Sequence, residues 1–138
     1  MTRSDPSSPA SISVFLVDDQ TLVRQGIRSL LSLAEGIEVV AEAADGRQAV
    51  ERIPQVKPDV VLMDMRMPVM SGLEALQALG RAGALPPTII LTTFDDDQLV
   101  LAGIKAGAKG YLLKDVSLEQ LVDAIQTVAG GGSLVQPA

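Results

Sequence analysis

Asp18, Asp19 and Asp64 are the residues of this chain best placed to do chemistry, because each follows directly on an apolar run. Ile-Ser-Val-Phe-Leu-Val, from Ile12 to Val17, ends in Asp18-Asp19, and Val60-Val61-Leu62-Met63 ends in Asp64, with Pro68 four residues on. A short continuous apolar run marks a strand buried on both faces, as in the middle of a parallel sheet. The ends of such strands share the edge at which open α/β sheets bind ligands. Two more runs end there in a polar residue: Thr88-Ile89-Ile90-Leu91 leads into Thr92, and Gly110 to Leu113 leads into Lys114. Carboxylates gathered at one place raise one another's pKa unless a cation lies among them. Mg²⁺ suits such a set, since it takes oxygen ligands, keeps several waters and uses one or two carboxylates with a phosphate oxygen; Mn²⁺ accepts the same donors. With Lys114 as a mobile positive charge and Thr92 as a hydroxyl donor, the constellation could neutralise a phosphoryl group in transfer.

The elements that must carry these residues alternate along the chain. After the first strand, Val23, Ile27, Leu30 and Leu31 recur at helical spacing, which predicts a helix over 21–34 with Gly36 as its stop. A strand over 37–43 follows, then a turn at Asp45-Gly46 and a helix with Ala49, Val50 and Ile53 on one face, expected to end at Pro54. The strand ending in Asp64 leads through Pro68 and Gly72 to a helix carrying Leu73, Leu76 and Leu79. Beyond the Thr92 strand, Asp95-Asp96-Asp97 place acidic side chains at a helix N-terminus, where the macrodipole favours them, and Leu99, Val100 and Ile104 mark that helix up to Gly107. After Lys114, Ser117 and Gln120 form a capping box ahead of the stripe Leu118, Leu121, Val122, Ile125 and Val128. Strand and helix alternate five times. The expected fold is α/β, a flavodoxin-like, doubly wound five-stranded parallel sheet in the order 2-1-3-4-5 with helices on both faces.

Composition narrows what this site can serve. The 138 residues make one domain, and with 2% aromatics (Phe15, Phe94 and Tyr111) base stacking is not an available binding mode. A net charge of −6 would repel a phosphate backbone, so no direct nucleic-acid binding is expected of this chain. There is no cysteine and no histidine, which removes thiol chemistry, the usual zinc sites and any His base, and agrees with a cytoplasmic location. No run nears the roughly 18–20 apolar residues a bilayer span needs, so no membrane role is expected. The opening residues 1–11, polar and punctuated by Pro6 and Pro9, read as a disordered leader.

Val17-Asp18-Asp19, Leu62-Met63-Asp64-Met65-Arg66-Met67-Pro68 with Gly72, Leu91-Thr92 and Gly110-Tyr111-Leu112-Leu113-Lys114 together resemble the receiver domains of bacterial two-component response regulators, over about Ile12 to Ala129. The resemblance implies the CheY-like form of the fold, with Asp64 as phosphoacceptor. It implies Asp19 as a direct Mg²⁺ ligand, Asp18 as a ligand through water and the Arg66 backbone carbonyl as a further ligand. Thr92 and Lys114 would contact the phosphoryl oxygens, and Tyr111 would report the switch. The partner so implied is a sensor histidine kinase. Asp18-Asp19-Gln20-Thr21-Leu22-Val23-Arg24-Gln25-Gly26 and Leu91-Thr92-Thr93-Phe94-Asp95 are similar to the NarL/FixJ subgroup, whose members carry a C-terminal helix-turn-helix of the LuxR type. On that resemblance 12–130 is the receiver domain, and 131–138 begins a linker to the chain's own DNA-binding output domain, absent here. A phosphorylation-dependent homodimer is also implied. One departure is Asp115, which stands where many receivers have proline after the lysine.

Other functions on this fold fit less well. A metal-dependent phosphatase with an aspartyl nucleophile would want a second carboxylate two residues on, where Arg66 stands, which argues against a turnover enzyme. A flavin or nucleotide carrier would want a glycine-rich loop after the first strand, where Asp18-Asp19 would repel a phosphate. A receiver-like module acting by interaction or dimerisation without phosphorylation is the remaining alternative, and no site residue is missing to favour it.

Overall fold

The computed structural model describes residues 11–93 and 97–134. Five strands, β1 (Ile12–Val17), β2 (Ile37–Ala43), β3 (Val60–Asp64), β4 (Thr88–Thr92) and β5 (Gly110–Leu113), alternate with five helices: α1 (Thr21–Leu31), α2 (Gly46–Val56), α3 (Gly72–Arg81), α4 (Asp97–Lys105) and α5 (Leu118–Ala129). All neighbouring strands are parallel, in the order β2-β1-β3-β4-β5, the doubly wound order expected from the alternating pattern. The chain reverses its direction of winding between β1 and β3. That crevice, outside the strand ends, is where Asp18 and Asp64 fall.

Every residue of β3 is buried, as its unbroken apolar run requires. On one face Val14, Leu16, Leu62, Ile89 and Leu91 pack against Ile27 and Leu31 of α1 and Leu121, Ile125 and Val128 of α5. On the other, Phe15, Val17, Val61 and Met63 meet Ala49 and Ile53 of α2 and Ala75 and Leu79 of α3. Met65, Leu76 and Ile90 form a smaller cluster on which Leu99 and Ile104 of α4 rest. Each fully buried side chain of this size contributes about 1.5–3 kcal/mol, so the sheet's position does not depend on the polar edge.

Two helix boundaries differ from the sequence expectation. α1 ends at Leu31, not at Ala34: Ser32 caps it, its hydroxyl donating to the Ser29 carbonyl at 2.6 Å, and the next N–H groups tighten to Leu30 and Leu31 in i→i+3 bonds. α2 does not end at Pro54 but runs to Val56, because in the last turn the proline forfeits only one intrahelical hydrogen bond. The left-handed residue Lys57 (φ 53°) then closes the helix, its N–H reaching the Ile53 carbonyl at 2.8 Å. α4 runs to Lys105, and Gly107, at a φ of +119° with its N–H on the Ile104 carbonyl at 3.0 Å, ends it as expected. Of the acidic run, Asp97 lies in the first turn of α4; Asp95 and Asp96, like the leader residues 1–10 and the last residues 135–138, lie outside the described residues. Among the described residues there is no cis peptide bond, so Lys114–Asp115 is trans. No described helix is long and apolar enough to cross a membrane.

Candidate functional site

β1 and β3 deliver the two inner carboxylates. Val17 pairs with Met63 across the sheet, so Asp18 and Asp64, each the next residue, come side by side at the carboxyl edge. Asp18 is fully buried and Asp64 is 5% exposed, while Asp19 lies open to solvent. Carboxylate oxygens of Asp18, Asp19 and Asp64 lie within 4.8 Å of one another, a set of hard oxygen donors that could hold a divalent cation.

Lys114 enters from the end of β5 and is the internal counter-charge. Its Nζ lies 2.9 Å from Asp18 Oδ2 and 3.3 Å from Asp64 Oδ2. The backbone fixes that approach, for the Lys114 N–H donates to the Thr92 carbonyl at 2.8 Å and continues the β4–β5 ladder past its last pair, Thr92 and Leu113. Asp18 is held by its backbone as well: its N–H donates to the Ala43 carbonyl at 3.1 Å, and its Oδ1 accepts the Gln20 N–H at 2.8 Å. Asp18 Oδ2, buried beside Asp64, accepts no well-directed hydrogen bond and has the Lys114 ammonium as its ion partner. One ammonium thus serves two desolvated carboxylates, which leaves the edge short of positive charge.

The pKa values follow from that shortage. Burial first, then the charge of Asp18, push the Asp64 carboxyl up to about 6; Lys114 and the Arg66 N–H, 3.3 Å from Asp64 Oδ1, pull the other way without restoring it. Lys114 is lowered by burial, but Asp18 and Asp64 outweigh this and its net pKa is raised. Around neutral pH Asp64 is an ionised, poorly solvated carboxylate, and a cation or an electron-poor phosphorus would relieve it.

The loop from β3 to α3 is shaped by close backbone approach. A Cβ on Gly72 would lie 2.1 Å from the Asp64 carbonyl oxygen, and a Cβ on Gly46 would lie 2.4 Å from that of Met70, so only glycine fits at either position. Gly72 and Gly46 donate to the Met65 and Met70 carbonyls at 3.1 and 2.9 Å. Between them Met70 N–H closes on the Pro68 carbonyl at 2.7 Å, forcing Val69 to a φ of +68° that a β-branched residue rarely takes. Ser71 and Glu74 then form a capping box that starts α3.

The structure brings Asp18, Asp19, Asp64 and Lys114 together as the sequence predicts. Thr92 is buried at the same edge, one residue beyond Leu91, the register partner of Asp64. Tyr111 is 49% exposed, on β5 opposite Ile90, with its ring on the surface rather than at the acidic cluster. Arg66 is exposed, next but one to Asp64. Sequence reasoning missed Arg24, whose Nη1 donates to the Asp18 carbonyl and whose Nε lies 3.2 Å from Glu42 Oε1. Its partner is 18 residues away, on a neighbouring strand, with no local signal to join them.

The chain is similar to known proteins along most of its length. The family model described as response regulator receiver domain matches residues 14–126. The nitrate/nitrite response regulator protein NarP of Escherichia coli (strain K12) is 48% identical over 121 residues, covering 88% of this chain and 56% of the relative. The transcriptional regulatory protein LnrK of Bacillus subtilis (strain 168) is 41% identical over 126 residues, with 91% and 57% covered. The chain therefore spans little more than half the length of these curated relatives. Among solved structures, the signal receiver domain of a response regulator NarL from Mycobacterium tuberculosis superposes with a TM-score of 0.84 at 35% identity, over 89% of this chain and 99% of that one.

Proposed function

We propose, for a chain that belongs to the response regulator receiver domain family, that Asp64 is the acceptor of a phosphoryl group delivered by a phosphohistidine on a separate sensor histidine kinase. The observation that carries this reading is the buried pair Asp18 and Asp64 sharing the single ammonium of Lys114, 2.9 and 3.3 Å away. A carboxylate oxygen of Asp64 attacks phosphorus; the P–O bond forms as the P–N bond to the donor imidazole breaks, and the departing nitrogen keeps the electron pair. Asp18, Asp19 and Asp64, with carboxylate oxygens within 4.8 Å of one another, would hold Mg²⁺ or Mn²⁺ with the Arg66 backbone carbonyl as a further ligand, and the ion would neutralise the charge building on the phosphoryl oxygens. Lys114 stays at the site throughout and exchanges part of its contact with the carboxylates for a phosphoryl oxygen. The Thr92 hydroxyl contacts another, and Tyr111, half-exposed on β5, reports the change. That exchange biases a two-state surface by no more than the differential stabilisation it supplies.

On this reading 12–130 is a receiver module in a cytoplasmic signalling protein and not a turnover enzyme, since its one product is its own modified Asp64. Residues 131–138 lead towards a DNA-binding domain of the chain's own, and the phosphorylated module pairs as a homodimer. The length of the relatives, named as transcriptional regulators, supports this organisation. Acetyl phosphate with Mg²⁺ tests the core of it: intact mass should show one added phosphoryl group on the wild type and none on Asp64→Asn. Labelling of the Asn variant at the wild-type level would remove Asp64 from the role.

A further inference from the structure

We infer that Arg24 is a positioning residue for the acidic site, a guanidinium clamp that fixes the loop between β1 and α1 and so the directions of Asp18 and Asp19. The inference rests on the reading that these carboxylates hold a divalent cation. Arg24 sits one turn into α1, with its side chain 17% exposed, and joins two acceptors from different elements. Nη1 donates to the backbone carbonyl of Asp18, the bond leading directly into Asp19, and Nε donates to Glu42 Oε1 at 3.2 Å.

Glu42 is itself a fixed post. It lies on β2 opposite Leu16 of β1; its second oxygen takes Arg28, and its backbone carbonyl takes Arg52. The clamp thus ties the loop to the edge strand through a planar fork, which a lysine ammonium cannot reproduce across two acceptors. Asp18 has its remaining anchors at the N–H, Oδ1 and Oδ2, so the Arg24 bond is the one that sets the plane of the peptide between the two aspartates.

Charge and position make opposite demands, which lets them be separated. Removing a cation near an acidic cluster should tighten binding of a divalent ion, whereas loosening the loop should weaken it. Arg24→Lys keeps the positive charge and removes the fork, so that variant reads position alone.

The test measures Mg²⁺ binding by calorimetry, together with amide hydrogen exchange in the metal-free protein. Arg24→Ala and Arg24→Lys should each raise the Mg²⁺ dissociation constant about 10-fold, the scale on which residues behind a metal's ligands act. The Gln20 amide, bonded to Asp18 Oδ1, should exchange several-fold faster while Leu62 amide protection stays at the wild-type level. Glu42→Gln, which keeps an acceptor without the charge, should fall between, and serves if the Arg24 variants fold poorly. Unchanged or tighter Mg²⁺ binding in the Lys variant, with Gln20 protected as in the wild type, would overturn the clamp. If the wild type itself binds no Mg²⁺, the metal reading fails, while faster Gln20 exchange in Arg24→Lys still supports the clamp.

Discussion

The two ends of the sheet treat the same residue type in opposite ways. At the amino edge, Asp59 stands just before β3; its Oδ2 accepts both the N–H and the hydroxyl of Ser13, at 2.8 and 3.1 Å, and its N–H donates to Ser13 Oγ at 2.9 Å. It is exposed and locally satisfied, and it ties β3 to β1. At the carboxyl edge of the same two strands, Asp18 and Asp64 are buried and share one lysine. Asp59 completes the fold, whereas Asp18 and Asp64 leave it electrostatically incomplete. A carboxylate at a strand end is therefore not evidence of function until its burial and its partners are counted, and the incomplete edge is the one where a ligand has something to supply.

The largest effect that would break this contrast concerns phosphoryl uptake: Asp59→Asn should keep wild-type uptake from acetyl phosphate under conditions where Asp64→Asn takes up none, as read by intact mass. Next is Lys114→Met, which strands two buried carboxylates and should cost about 3 kcal/mol of unfolding free energy at pH 8 by urea denaturation. Protonation of Asp64 relieves part of that cost, so the penalty should shrink at pH 5.

The pH dependence of the wild type sharpens the contrast further. Asp64 titrates near 6 in the folded chain and near its ordinary 3.8 when unfolded, so between these values the native state holds the extra proton. The stability this proton confers is fully present below pH 3.8 and is lost as pH rises through 6, about 3 kcal/mol in all. Asp64→Asn should lack that loss and, without metal, be more stable than the wild type at pH 7.5. Asp59→Ala has the opposite sign, losing about 1 kcal/mol with its hydrogen bonds to Ser13 at that pH. The smallest change belongs to Val69→Gly, which should gain up to about 1 kcal/mol by relieving the positive φ beside the site.

Much of this was legible in the residue order, for physical reasons that differ by element. The central strands β1, β3 and β4 could be read because burial on both faces demands apolar runs, and Asp18-Asp19 and Asp64 because each interrupts such a run at its end. α5 could be located from Ser117 and Gln120, whose capping box is a local pattern. What failed was either terminal or distant. Pro54 looked like a stop because its ring forbids one hydrogen bond, yet the last turn of α2 had little else to lose. Ser13 with Asp59, 46 residues apart, and Arg24 with Glu42 are contacts that exist only once the parallel register is set. The return of the chain after α5 is of the same kind: Leu134 N–H meets the Lys109 carbonyl at 2.8 Å, and its side chain covers Gly110. A sequence shows the alternation that builds a sheet; it does not show which side chains the sheet will bring within reach.

Urea unfolding at pH 7.5, with and without Mg²⁺, tests most directly that the carboxyl edge is completed by a cation. The wild type and Asp59→Ala should gain equally from the metal, by about 2.7 kcal/mol at a hundredfold excess over the dissociation constant. Asp64→Asn and Asp18→Asn should gain far less. A wild type indifferent to Mg²⁺, or an Asp64→Asn variant that gains as much as the wild type, would contradict it.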